Sequence, residues 1–203
     1  MNLPPAVPRR VAIGAVATGV TAAGAVIGAV WARIAPPIHG AIALTRDGER
    51  VQLYLGGEGE NFFVAPALAL GLMGVLAVVA AALAWQWQAH RGPGMVIGLS
   101  LGMLWSAGVA ALMGAQLAHR RYGVVDLDAA PVTPEHRVSY FTEAPPVFFG
   151  HSPWQIAATL LLPAGLTAFG YALAVSWTRR DDLGGYPAVP AGLTAAGGVP
   201  RGR

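Results

Sequence analysis

Four long apolar stretches, separated by polar segments, dominate the pattern of hydrophobic and polar positions along the chain. They cover residues 11–34, 62–88, 94–118 and 154–178, and none carries Asp, Glu, Lys, Arg or His in its interior. Each stretch is long enough to cross the roughly 30 Å hydrocarbon core of a bilayer as one helix. The pattern therefore predicts an all-α membrane protein with four transmembrane helices, whose first partner is the lipid bilayer.

The third stretch carries the most regular signal in the sequence. Small residues recur at every fourth position along it, at Gly94, Gly98, Gly102, Ser106, Ala110 and Gly114. Such a stripe follows one side of a helix and lets a second backbone come close, which is how membrane helices often associate. The first stretch offers a matching pair, Gly24 and Gly28. We expect the stripe to pack on the first helix through this pair, with a homo-oligomer or a partner protein as the alternative.

The first stretch has a second interpretation because it is only weakly hydrophobic. Val30, Trp31 and Ala32 loosely resemble a cleavage site, so a cleaved signal peptide is the alternative to a retained helix. The run is longer than a typical signal-peptide core, and its length favours the retained helix. Residues 1–10 and 179–203 are rich in Pro or Gly, and we expect a disordered leader and a disordered tail there.

The polar segment at 35–61 predicts a β-hairpin. Asp47-Gly48 separates two short alternating runs, and this dipeptide is a strong signal for a tight hairpin turn. From the alternation we expect Ile42 and Leu44 to share one face with Val51, Leu53 and Leu55. A lone hairpin is marginally stable in water, so this one needs a further partner.

The segment at 119–153 is a long proline-rich loop with a possible strand at 137–142. Long loops of this kind usually carry function or pack as a lid. We expect its strand to join the hairpin in one small extracytoplasmic β unit. By contrast, residues 89–93 form a short connector, which predicts that the second and third helices are antiparallel neighbours.

Arginines near the helix ends indicate the orientation. All thirteen basic residues are Arg. Arg9, Arg10, Arg91, Arg179 and Arg180 would lie on one side of the membrane, and Arg33, Arg120 and Arg121 on the other. Since cytoplasmic loops carry the excess of basic residues, we expect a multi-pass protein of the plasma (inner) membrane with both termini in the cytoplasm.

Composition narrows the possible chemistry. The chain has no Cys, which excludes disulfides and thiolate sites. Its arginines form no basic face of the kind that nucleic acid requires, so we expect no nucleic-acid partner. Gln116 and Thr159 are the notable polar residues inside the spans, and we expect them to bond a neighbouring helix. Coupled transporters usually keep ionisable residues at membrane depth, and this pattern argues against one.

The loop histidines and acids suggest a site only weakly. His39, His119, His136 and His151 lie in the two long segments together with Asp126, Asp128, Glu135 and Glu143. Their spacing matches no ligand motif for a metal, and no serine stands in a nucleophile motif. We expect no catalytic residue, metal or cofactor, and keep His136, Glu143 and His151 as candidates for a site beneath the 119–153 loop.

Four segments together resemble a family of small actinobacterial four-helix membrane proteins of unknown function. They read VQLYLGGEGENFFVA, WQWQAHRGPGM, RYGVVDLDAAPV and TEAPPVFFGHSPWQIAATLLLPA, within residues 10–187. The resemblance implies a mycobacterial-type cell envelope and no particular chemistry.

Three functions remain open from the sequence. The extensive helix-packing surface favours a non-enzymatic accessory or scaffold subunit that binds an envelope membrane partner. A lipid-handling protein or membrane enzyme, with its site under the 119–153 loop, is the alternative, and a channel or transporter is the least favoured.

Overall fold

Four long helices make up most of the computed structural model, which describes residues 7–126 and 129–178. They are α1 Arg9–Ile34, α2 Asn61–Gln86, α3 Pro93–Tyr122 and α4 Pro153–Ser176. All four are long and apolar enough to cross a membrane. Arg9 and Arg10, expected in the leader, already form the first turn of α1. Residues 1–6 and the predicted tail at 179–203 lie outside the described residues.

The helices do not pair in chain order. The most extensive helix contact joins α1 and α3, which run parallel because each leads from the same end of the bundle to the other. Helix α4 packs against both α2 and α3. The expected antiparallel pairing of α2 with α3 is only a minor contact, because the main partner of α2 is α4 and that of α3 is α1.

A three-stranded antiparallel sheet lies at the end of the bundle where α1 and α3 finish. Its strands are β1 Ile38–Leu44, β2 Arg50–Tyr54 and β3 Val138–Glu143, in the order β2-β1-β3. The hairpin turns at Gly48, whose φ of 83° suits glycine. Both long segments thus contribute to one sheet, and the predicted four-helix membrane protein with a small β unit is confirmed.

The register of the hairpin differs from the expected one. Ile42 pairs with Gln52, and Leu44 pairs with Arg50, so neither shares a face with Val51 or Leu53. Leu55 lies beyond the end of β2. The prediction was wrong because apolar residues occupy both faces of this hairpin, and alternation then does not determine the register.

The proline-rich loop packs into the sheet end of the bundle. Ala144 and Val147 are buried in a cluster with Trp31 and Ala118. The Trp31 indole N–H donates a hydrogen bond of 2.8 Å to the carbonyl oxygen of Ala65. The buried side chain of Trp31 therefore joins α1, α2 and the loop.

Candidate functional site

The small-residue stripe of α3 lies against α1. Gly98, Gly102, Ser106, Ala110 and Gly114 are all buried, whereas Gly94 at the start of the helix is half-buried. Their neighbours across the interface follow the order of α1, from Ile13 beside Gly98 to Trp31 beside Gly114. The parallel helices are therefore in contact over most of their length.

The closest approach is between backbones. A β-carbon added at Gly24 would overlap the carbonyl group of Ser106, and one added at Gly28 would overlap the carbonyl oxygen of Ala110. At Gly102, it would lie 2.8 Å from the Cα of Ala17. Real β-carbons essentially never come within 3.0 Å of other heavy atoms, so the side-chain hydrogen of glycine is what permits this packing.

Thr21 adds a polar contact that the sequence pattern did not single out. Its hydroxyl lies 2.8 Å from the carbonyl oxygen of Ala17 and 3.2 Å from that of Gly102 across the interface. Thr159, expected to bond a neighbouring helix, instead donates to the carbonyl of Gln155 in its own helix. The position of Thr21, three residues before Gly24, was the signal for this bond in the sequence. Where two backbones come close, the carbonyl oxygens of one helix lie within reach of a hydroxyl on the other.

A cleft of about 460 Å³ opens between the proline-rich loop and the helix ends. Two of the three candidate residues line it, Glu143 at the end of β3 and His151 just before α4, and His119 of α3 joins them. His136 does not, because it precedes the opposite end of β3, and the strand alone separates the two ends by about 16 Å. The exposed His136 makes a local contact instead, in which its backbone N–H donates to the hydroxyl oxygen of Thr133 at 3.1 Å.

The carboxyl group of Glu143 is partly buried in this cleft. Its Oε2 atom is buried, and it has no hydrogen-bond partner within the described ranges. Burial disfavours the charged form and raises the pKa of this carboxyl. Among residues 7–126 and 129–178, no three His, Asp or Glu side chains come together in a way that would hold a metal ion.

A second polar contact joins the sheet to the start of α2. The backbone N–H of His39 donates to Oε2 of Glu58 at 2.6 Å, and the His39 Nδ1 atom lies 2.7 Å from the same oxygen. Asn61 reinforces this junction, donating from its side-chain amide to the carbonyl of Pro37 at 2.9 Å. These contacts fix the sheet relative to the bundle, and no local sequence pattern predicts them.

The two faces of the sheet differ in the burial of their apolar side chains. Ile38 and Ile42 point to one face and are fully buried. The opposite face presents four large apolar side chains that stay exposed: Val51 at 39%, Leu53 at 54%, Val138 at 50% and Tyr140 at 74%. The register places them around β1, since Leu53 and Tyr140 both pair with Ala41, and Val51 and Val138 both pair with Ala43. We call these four residues the outer apolar face.

Comparison with known proteins identifies a family. The family model described as "Protein of unknown function (DUF2567)" matches residues 20–185. The uncharacterized protein Rv1591 of Mycobacterium tuberculosis is 55% identical over 172 residues, which cover 84% of this chain and 89% of that protein. The uncharacterized protein ML1222 of Mycobacterium leprae is 53% identical over 178 residues, covering 88% and 90%. No solved structure matches the chain.

These matches confirm the resemblance to a mycobacterial-type membrane protein family. The family model begins within α1 and covers the other three helices and both segments that form the sheet. The chain belongs to the DUF2567 family.

Proposed function

We propose that the protein is a non-enzymatic accessory or scaffold subunit that binds a partner membrane protein through its sheet. The observation that carries this proposal is the outer apolar face, formed by Val51, Leu53, Val138 and Tyr140. Contiguous exposed apolar side chains on an extramembrane unit mark interaction sites. Exposed apolar residues on the helices need no such explanation, because lipid covers them.

The sheet edges support the same interpretation. In the order β2-β1-β3, strands β2 and β3 each have one neighbour among the described strands. An edge strand presents unpaired backbone groups to which a partner can add a strand or a loop. Tyr140, the most exposed of the four residues, lies on β3 and offers a large amphipathic ring of the kind enriched in binding hot spots.

We place the sheet outside the cell, with both termini in the cytoplasm, in the plasma (inner) membrane. The count of arginines near the helix ends supports this orientation, with Arg9, Arg10, Arg91, Arg179 and Arg180 on the cytoplasmic side against Arg33, Arg120 and Arg121 on the other. Arg179 and Arg180, which supply the whole of this excess, lie outside the described residues. The partner would then present its binding surface at the outer side of the membrane.

Affinity purification from native membranes tests this proposal. We expect the tagged wild-type protein to carry a protein partner in stoichiometric amount, and the Leu53→Ser/Tyr140→Ser variant to lose it without a change in melting temperature. Val124→Ser is the matched control, since it removes an exposed apolar side chain outside the sheet and the helices. A partner that stays bound to the double variant, or a wild-type protein that carries none, contradicts the proposal.

The cleft beneath the loop supports a second candidate, a lipid-handling protein or membrane enzyme. The observation in its favour is the grouping of Glu143, His119 and His151 around one cavity, with the pKa of Glu143 raised by burial. Carboxyl and imidazole groups at such a site are able to exchange protons with a ligand. Purified wild-type protein with bound lipid and no protein partner, and loss of that lipid in Glu143→Ala, would favour this candidate. A channel or transporter remains the least favoured function.

A further inference from the structure

A recess lined by arginines lies where α1 and α3 reach the sheet end of the bundle. Arg33 comes from α1, while Arg120 and Arg121 come from the last turn of α3. The recess has a volume of about 320 Å³, and its remaining lining residues are Ala29, Ala32 and Leu117. No acidic side chain of the described chain is among them.

The charges of this recess are not balanced within the described parts of the chain. Within the described residues, neither Arg33 nor Arg120 makes a hydrogen bond or an ion pair. Arg121 lies over the ring of Tyr122, with its guanidinium carbon 5.2 Å from the ring centre. Guanidinium groups that share one recess repel each other, and a bound anion removes this repulsion. A phosphate group suits them best, because guanidinium binds phosphate oxygens with two parallel hydrogen bonds.

An apolar groove follows on the same side of the α1–α3 pair. Its volume is about 530 Å³, and its lining residues include Thr18, Ala22, Leu101, Trp105 and Val109. On α1 the groove and the recess share one helix face, since Thr18, Ala22, Ala29 and Arg33 are spaced by four, seven and four residues. The groove therefore lies in line with the arginines, about two helix turns further toward the middle of the bundle.

The dimensions match a lipid rather than a small soluble anion. From Thr18 to Arg33 the helix rises about 22 Å, whereas half of the hydrocarbon core of a bilayer measures about 15 Å. A chain that starts at the arginines thus finds an apolar surface over the whole depth of one leaflet. Small side chains at Thr18, Ala22 and Ala29 leave the space that an acyl chain needs.

We propose that Arg33, Arg120 and Arg121 bind the phosphate of an anionic phospholipid, whose acyl chain lies in the groove between α1 and α3. This proposal is independent of the partner-binding function, because the recess is formed by the helices and does not include the outer apolar face. It also holds for either orientation of the protein in the membrane.

Thermal melting of the full-length protein in a neutral detergent tests the lipid site. We would add dioleoylphosphatidylglycerol, dioleoylphosphatidylcholine or inorganic phosphate, and follow unfolding by tryptophan fluorescence. A ligand that binds only the folded state raises the melting temperature. We expect phosphatidylglycerol to produce a saturable rise, with a clearly smaller effect from phosphatidylcholine and none from inorganic phosphate at the same concentration.

Two sets of variants assign the effect to the recess. Arg33→Gln/Arg120→Gln/Arg121→Gln should lose the rise, whereas Arg10→Gln/Arg46→Gln/Arg137→Gln removes the same number of charges elsewhere and should keep it. Ala22→Phe fills the groove without changing the charge, and it should weaken the effect of phosphatidylglycerol. If the first variant does not fold, Arg120→Gln alone is compared with wild type by counting bound lipid in native mass spectrometry, and we expect it to carry less.

Three results would overturn the proposal. An equal rise with inorganic phosphate would assign the recess to a soluble anion. An equal rise with phosphatidylcholine would mean that the arginines do not select an anionic lipid. An undiminished effect of phosphatidylglycerol in the recess variants would place the lipid elsewhere.

Discussion

The carbonyl oxygen of Ser106 lies so close to Gly24 that it would overlap the β-carbon of any larger residue at that position. This contact joins α1 to α3 in the middle of the bundle, and similar contacts continue toward both helix ends. Lipid tails are as apolar as the helix surfaces, so burial of apolar area alone gives these helices little reason to associate. Close van der Waals packing of the two backbones then supplies much of the attraction, which is the central claim of our account.

Thr21→Val should lower the stability of the bundle slightly. The Thr21 hydroxyl reaches the carbonyl of Gly102 on α3, and valine keeps the shape of the side chain without the donor. Hydrogen bonds between membrane helices contribute about 0.6 kcal/mol on average, so we expect a small fall in the melting temperature in detergent. Thr18→Val is the control, because Thr18 is exposed and makes no hydrogen bond to α3. Equal melting temperatures for the two variants would show that the interhelical bond contributes nothing.

Gly48→Val should disrupt the small sheet. The turn holds Gly48 at a φ of 83°, a conformation that costs a residue with a β-carbon about 1–2 kcal/mol and a β-branched residue more. Because β1 also pairs with β3, a distorted hairpin should loosen the 119–153 loop, and limited proteolysis would report faster cleavage there. Gly48→Asn is the control, since asparagine tolerates this conformation. Unchanged protection in Gly48→Val would mean that the loop is held independently of the hairpin.

The orientation of the protein predicts a labelling pattern. Asp47 lies in the exposed hairpin turn, and Gln88 lies exposed in the connector at the opposite end of the bundle. The native chain has no Cys, so a single cysteine at either position is the sole target of a thiol reagent. In intact cells we expect an impermeant reagent to label Asp47→Cys and to leave Gln88→Cys unlabelled until the cells are opened. The reverse pattern would invert the topology.

Glu143 should make the stability of the protein depend on pH. Burial raises the pKa of this carboxyl above its ordinary value of 4.5, so the folded protein favours its protonated form. The resulting stabilisation is fully present below the ordinary value and is lost as the pH rises through the raised value. In that window we expect the melting temperature of wild type to fall relative to that of Glu143→Gln, which carries no ionisable group at this position. If the melting temperatures of the two proteins change with pH in parallel across this window, the effect of Glu143 is contradicted.

The sequence predicted local features well and distant contacts poorly. The Asp47-Gly48 turn and the α3 stripe were visible because each depends on residues close together in the chain. The contact of His39 with Glu58 was not, since nothing in the chain between them indicates that β1 returns to the start of α2. Arg33 and Arg120 likewise served only as markers of orientation, and their shared recess depends on the parallel packing of α1 and α3.

The candidate site was predicted only in part, again because the sequence identifies residues that are close in the chain better than distant contacts. Glu143 and His151 lie at the two ends of the loop segment 144–150 and both line the cleft, whereas a strand separates His136 from it. The predicted register of the hairpin was wrong for a different reason. Both faces of that hairpin carry apolar residues, and the exposed ones form the outer apolar face that the proposed function uses.

The melting temperature of Gly24→Ala and Gly102→Ala, compared with two matched controls, tests the central claim most directly. A β-carbon at either position would meet backbone atoms of the facing helix, and overpacking a close interface typically costs about 1–3 kcal/mol. Gly14→Ala on α1 and Gly108→Ala on α3 add the same methyl group where nothing lies within 4 Å. We predict a lower melting temperature in detergent for the first pair and no loss for the controls. An unchanged melting temperature in the first pair, together with loss of a larger species on size-exclusion chromatography, would contradict the account and identify the stripe as a surface that binds another protein.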